Sequence, residues 1–309
     1  MSRPEIKVRL FGRLSIRSRG QALETHLSGK AQELLTYLLL FRRQSHHRER
    51  LATLLWEESE PSQSRRNLRK ALWQLQAAQG LGPSSDGGGI LLLESEWIGI
   101  RPEAGLWIDA ARLEETYLQL RELPGRALDA PSAQIALDAV NLCRGSFLEG
   151  CFQDWCLLER ARLQDMYLIL LDKLMGFCEA HGDYETGLIC GARALQHDRA
   201  REVTHRQLMR LYYKAGDRTG ALRQFKRCLE ALQEELGILP SERTMVLFEL
   251  IQADRLSGSD MTEQWLAPLE EDQHQLHSMH STKPDKTSLE SIPQPPRPLT
   301  TLDWATGPD

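Results

Sequence analysis

Arg65, Arg66, Arg69 and Lys70 stand within six positions of one another, and no acidic residue interrupts the chain between Pro61 and Gln79. A guanidinium carries parallel N–H donors on a rigid fork, which match the O6 and N7 acceptors of a guanine edge as well as phosphate oxygens. An ammonium is a compact point charge and suits a phosphate better than a base edge. At one hundred degrees per residue, Leu68, Ala71, Leu72 and Leu75 share one side of a helix, while Ser62, Arg65, Arg66, Arg69, Lys70, Trp73 and Gln76 spread over the other. The pattern predicts base reading by Arg65, Arg66 and Arg69 in a DNA major groove, with Lys70 on the backbone. Ser62, Ser64 and the N–H groups of the first turn would take a phosphate oxygen. Arg48 and Arg50 open the preceding helix, where that element would cross the DNA backbone. Taken alone, four cations on one face also fit a merely solvated surface, although exposed helices ordinarily mix both signs. Trp73, in the middle of the polar face, has two readings: packing on a thymine methyl or a sugar, or folding back as core.

A compact scaffold must hold that helix. Ile6, Val8 and Leu10 alternate with Lys7, Arg9 and Phe11, and after Gly12-Arg13 a second alternation follows through Leu14 and Ile16. Period two, split by a glycine, predicts antiparallel strands with one buried face. From Lys30 to Arg43 the period becomes helical, with Leu34, Leu35, Leu38 and Leu39 on one side, and a second helix runs from Arg48 to Trp56. Pro61 opens the third, where its missing N–H is harmless, and Gly80 and Gly82 end it near Gln79. Past the flexible Gly87-Gly88-Gly89, the segments Ile90–Leu93 and Trp97–Arg101 predict a hairpin. Strands, three helices and a terminal hairpin follow the order of a winged helix-turn-helix.

From Trp107 to about Leu256 the periodicity is helical throughout, with helices expected at 109–123, 132–144, 154–180, 184–196, 201–215, 218–235 and 241–255. Leu174-Met175, Gly182-Asp183, Leu188 and Leu195 recur thirty-four residues later as Leu208-Met209, Gly216-Asp217, Leu222 and Leu229. That is the tetratricopeptide period, and such helix pairs bury their apolar faces only by stacking. The expected fold class is therefore multidomain and mainly α: an α+β winged helix-turn-helix, then an all-α tetratricopeptide-like array. A tail at 257–309, rich in Pro, Ser and Thr, lacks the apolar periodicity to offset its ordering entropy and is expected to be disordered.

Charge divides along the same line. Residues 1–103 hold 16 Lys+Arg against 11 Asp+Glu, net +5, and residues 104–309 hold 22 against 32, net −10. A basic head on an acidic body predicts that only the head meets a polyanion. No apolar run is long enough to span a bilayer, and no hydrophobic signal core follows Met1, so a cytoplasmic, nucleoid-associated protein without membrane contact is expected. The six cysteines include no Cys-x-x-Cys pair and read as reduced, buried thiols. His46-His47 reads as a turn with solvated imidazoles, and His274, His277 and His280 fall in the tail. Phosphate-loop, nucleophile-elbow and His-Glu-x-x-His motifs are missing, so neither catalysis nor a cofactor or metal is expected.

The runs Lys30–Leu40, Arg48–Trp56 and Arg65–Leu72 resemble the winged-helix domain of the antibiotic-regulatory-protein (SARP-type) bacterial transcriptional activators. Gly145-Ser146-Phe147-Leu148-Glu149-Gly150, the unit from Leu208 to Leu229 and Glu234–Ser241 resemble the bacterial transcriptional activator domain of the same family. The resemblance implies an OmpR-type winged helix at 1–103 that reads direct repeats in double-stranded promoter DNA, and an activator domain at 104–256. It also implies a homodimer on DNA and contact of the helical domain with RNA polymerase holoenzyme. The chain departs from the family in the wing, where Trp97-Ile98-Gly99-Ile100 replaces the common Gly-Tyr-Arg-Leu, and at Arg199 and Gln233, where helix-closing prolines are usual. The alternative is a tetratricopeptide-like scaffold that binds protein without specific DNA recognition.

Overall fold

The computed structural model describes residues 6–18, 20–22, 27–78, 81–82 and 89–256. The tail with its three histidines, and Gly87-Gly88 before the wing, lie outside the described residues.

The alternating segments form β1 (Ile6–Arg9) and β2 (Ser15–Ser18), antiparallel with Val8 opposite Ile16, and the short β3 (Gln21–Ala22) pairs with β2. Ser28 caps α1 (Gly29–Leu40) by accepting from the Ala31 N–H. Then come β4 (His46–His47), α2 (Arg48–Leu55) and α3 (Pro61–Ala77), followed by β5 (Leu91–Leu93) and β6 (Trp97–Ile100). β5 and β6 are the expected hairpin, and β4 adds to its edge, giving the order β4-β6-β5. The strand order, the three helices and this wing make the head a winged helix-turn-helix.

Two expectations fail here. The chain is not helical from Trp107 onward, because Leu106–Ile108 forms β7, which lies parallel to β1 and completes a sheet of order β3-β2-β1-β7. His46 is not solvated either: it is buried, pairs with Ile98 in the wing sheet, and its Nε2 bonds the Phe41 carbonyl at 3.1 Å. Burial holds its imidazole below the usual histidine range.

The array comprises α4 (Asp109–Leu120), a single 3-10 turn (Gly125–Ala127), α5 (Ala130–Val140), α6 (Asp154–His181), α7 (Tyr184–His197), α8 (Glu202–Lys214), α9 (Arg218–Leu236) and α10 (Glu242–Gln252). The repeat is visible in its turns. Gly182 (φ +76°) ends α6 and Gly216 (φ +83°) follows α8, both left-handed, where a Cβ would be strained. Asp183 and Asp217 then cap α7 and α9 by accepting from the Thr186 and Gly220 N–H groups. Close packing depends on small residues: a Cβ on Gly191 would stand 2.7 Å from Leu208 Cγ and 2.8 Å from Met175 Cε. Gly191→Ala therefore crowds the α6–α7–α8 stack by about 1–3 kcal/mol, more than the ~1 kcal/mol that alanine gains in helix propensity. The melting temperature should fall, and a rise would contradict this packing.

One hydrophobic core runs from the head into the array, from Ile6 and Val8 through Leu34, Leu35, Leu38 and Ile98 to Ile108, Leu113 and Leu171. Tyr37 of α1 meets Trp155 of α6 edge-on at 5.3 Å, and the Asp109 carboxylate at the start of α4 accepts from the Leu10 and Phe11 N–H groups. The chain segment 145–151 ties the two halves further, with Leu148 N–H donating to Leu10 O at 2.9 Å and Phe147 bridging to Phe11.

Candidate nucleic-acid interface

Helix α3 exists because its apolar stripe has a place to go. Leu68, Ala71, Leu72 and Leu75 are buried as their spacing predicts, and Gln74 accepts from the Ser28 hydroxyl at 2.8 Å, pinning α3 to the N-terminus of α1. The outer face holds Ser62, Arg65, Arg66, Arg69, Lys70 and Gln76, all exposed. Arg66, Arg69 and Lys70 form no hydrogen bond or ion pair with any described residue. Three solvated cations on consecutive turns of a rigid helix can be transferred to an anion without first breaking an internal bond.

Trp73 settles its two readings at the level of burial: its side chain is 67% exposed, so it does not fold back as core. An indole that open, flanked one turn away by Arg69 and Lys70, offers a flat apolar surface amid positive charge. Arg65 differs from its neighbours. Its Nε lies 2.9 Å from Glu49 Oε1 and its NH2 3.3 Å from Oε2, with both side chains more than half exposed. A pair this open contributes about 0–1 kcal/mol, so it orients Arg65 without locking it. Glu49 is a participant that one-dimensional spacing did not reveal, since it reaches α3 from the other helix of the turn.

Ser64 requires a correction. It is 3% exposed, and its hydroxyl serves the carbonyls of Trp56, Ser59 and Glu60, each at 3.2 Å. It ties the helix-turn-helix together from within and has no face toward a phosphate. The signal was in the sequence: Ser64 lies four before Leu68 and seven before Ala71, on the buried stripe. Glu57, Glu58 and Glu60, exposed in the turn before α3, add negative charge at its first turn. The positive field therefore peaks further along, at Arg65–Lys70.

Arg48 and Arg50 are placed differently from each other. Arg50 is exposed at the start of α2. Arg48 turns its guanidinium onto the Glu94 carbonyl at 3.0 Å, and its own N–H donates to Glu96 O at 2.9 Å, so it clips the wing to α2. The wing turn itself carries Glu94 and Glu96. Trp97, 46% exposed on β6, meets the His47 ring edge-on at 5.4 Å. On α3, Gln63 donates to Asn67 at 2.9 Å, an amide pair beside the cations that the charge pattern did not single out. Among the described residues no three His, Cys, Asp or Glu side chains gather to hold a metal ion.

Comparison with known proteins bears on both halves. The family model of the bacterial transcriptional activator domain matches residues 108–252. Among solved structures, Mycobacterium tuberculosis EmbR, in complex with a low-affinity phosphopeptide, superposes with a TM-score of 0.64 at 18% identity, over 89% of this chain and 70% of that chain. At that identity the likeness is one of fold. No curated protein matches the chain. The domain match begins one residue before α4 and takes in the helical part of the chain, with the winged helix ahead of it.

Proposed function

We propose that the chain is a sequence-specific DNA-binding transcriptional activator, with residues 1–103 as the reading head and residues 104–256 as the body that meets protein partners. The observation that carries this reading is the set of cations Arg66, Arg69 and Lys70 on the outer face of α3, without a partner among the described residues, with Trp73 exposed among them. An α-helix fits the major groove, where an arginine fork on guanine distinguishes base pairs, while phosphate contacts set register and supply a salt-dependent affinity. Arg66 and Arg69 read base edges, Lys70 and Arg50 hold the backbone, Ser62 adds a hydroxyl near a phosphate, and Arg65 exchanges Glu49 for the nucleic acid. Trp73 packs on a thymine methyl or a sugar. Arg48 supports the wing, so its part in DNA binding is indirect.

The activator domain supports a role in promoting transcription, through self-association on direct repeats and contact with RNA polymerase holoenzyme. Such a protein works at the nucleoid in the cytoplasm and requires neither cofactor nor chemistry of its own. No helix among the described residues is long and apolar enough to cross a membrane.

The test is site selection from a random duplex library with the full-length protein, followed by two variants on the selected site. Arg69→Ala should weaken cognate binding by about 1–3 kcal/mol and relax one position of the site. Lys70→Ala should weaken binding to all duplexes alike and reduce the salt slope by about one. Equal losses on cognate and random duplex in both variants would overturn the assigned roles. No salt-sensitive complex at about 50 mM salt would favour the protein-binding scaffold instead.

A further inference from the structure

Beside the cations of α3 lies a neutral pair with a different chemistry. Gln63, exposed in the first turn, donates from Nε2 to Oδ1 of the half-buried Asn67 at 2.9 Å. The backbone beneath it is well formed: the Gln63 and Ser64 N–H groups donate to the Glu60 carbonyl at 2.8 and 2.9 Å, and the buried Ser64 hydroxyl holds the turn that precedes the helix. An amide nitrogen carries two hydrogens, so the Asn67 contact leaves Gln63 one N–H and its Oε1 with no partner among the described residues. A planar amide with one donor and one acceptor to spare matches adenine in the major groove, where N6 donates and N7 accepts. Gln63 also begins an exposed line along α3 that continues through Arg66, Lys70 and Trp73. Glu57, Glu58 and Glu60, exposed just ahead of it, weaken the pull on a phosphate at this end of the helix. A neutral amide on a neutral base edge is indifferent to them.

We propose that Gln63 is a further specificity-determining residue, reading an adenine in the major groove, and that Asn67 is the positioning residue that aims it. This rests on the reading of α3 as the helix that enters DNA. Oε1 accepts from the adenine N6 amino group, the remaining N–H donates to N7, and Asn67 Oδ1 keeps the other hydrogen. A free glutamine is a flexible side chain whose ordering opposes binding. The Asn67 tether restrains it before DNA arrives, so less freedom is lost on contact. Gln63 stands three residues before Arg66, about 4.5 Å along the helix axis, against about 3.4 Å per base step of DNA. The adenine therefore lies within about two base pairs of the base that Arg66 reads.

The experiment selects sites from a random duplex library with the full-length wild type and with Gln63→Ala, Gln63→Glu, Asn67→Ala and Arg66→Ala, and measures binding to the selected duplexes against salt. Gln63→Ala should lose a preference of about 5- to 150-fold for adenine at a single position, close to the one that Arg66→Ala relaxes, with the salt slope unchanged because no phosphate contact is lost. Gln63→Glu should move that position to cytosine, whose N4 amino group offers a donor to a carboxylate. Asn67→Ala should keep adenine as the preferred base by a smaller margin. A consensus that Gln63→Ala leaves unchanged at every position overturns this assignment and leaves the arginine reading standing. Equal loss on cognate and random duplex, with a shallower salt slope, makes Gln63 a backbone contact and overturns it as well. An adenine margin untouched in Asn67→Ala removes the positioning role. If the wild type selects no consensus at all, the reading of the protein as a sequence-specific DNA binder fails, and the assignment of Gln63 with it.

Discussion

Replacing Asp109 with alanine should lower folding stability by about 3–5 kcal/mol, because a buried acceptor serving several backbone donors would vanish from a place water cannot fill. Asp109 is 1% exposed. Its Oδ1 accepts from Leu10 N–H at 2.8 Å and Ala110 N–H at 2.7 Å, and its Oδ2 accepts from Phe11 N–H at 3.2 Å. Burial pushes the carboxyl up, and the N–H groups of Leu10, Phe11 and Ala110 pull it back. Both oxygens face donors, so the arrangement fits a carboxylate and nothing that donates. Asp109→Asn therefore rescues little, since its amide nitrogen would confront an N–H group. Urea denaturation of the two variants measures the effect, and a loss under ~1 kcal/mol for the alanine variant would show that these N–H groups find other partners.

A loss of similar size is expected from Asp172→Ala, for a different reason. Arg201 meets Asp172 with both arms of its fork, NH1 to Oδ1 and NH2 to Oδ2 at 2.6 Å each, and its NH1 also donates to Thr204 at 2.7 Å. Burial pushes the Asp172 carboxyl up and the Arg201 charge opposes this, while the short forked contacts require the ionised pair. Removing the carboxylate strands a guanidinium between α6 and α8, which costs about 3–5 kcal/mol, whereas removing both charges in Asp172→Ala/Arg201→Met returns most of it. A double variant as unstable as the sum of the single losses would mean that the two side chains act independently.

The parts of the molecule that follow a local period were legible in the sequence. The apolar stripe of α3, the wing hairpin and the thirty-four-residue repeat each fix their geometry from neighbours a few positions away, and each is present in the fold. What escaped depends on distant partners. β7 is a three-residue strand running directly into α4 with no turn between, and only pairing with β1, about a hundred positions earlier, makes Leu106–Ile108 extended. Asp109 reads as an ordinary first-turn acid until Leu10 is placed beside it. His46 is polar by type, yet one cross-strand pairing with Ile98 puts it indoors. Of the interface, the cations were visible as composition and periodicity. The Glu49 contact on Arg65 and the turning of Arg48 onto the wing arise from the angle between α2 and α3 and from the wing's return, which no local pattern encodes.

The parallel strand Leu106–Ile108 has an implication for how such proteins diversify. It lies on the C-terminal side of the 103/104 boundary expected from the sequence, yet it finishes the N-terminal sheet. A recombination joint at that boundary would bare one margin of β1 and strip Leu10 and Phe11 of the acceptor they share. Heads and bodies of this build are thus not freely interchangeable cassettes: a transplanted head is expected to need from its new host a matching edge strand and an acidic residue in step with it.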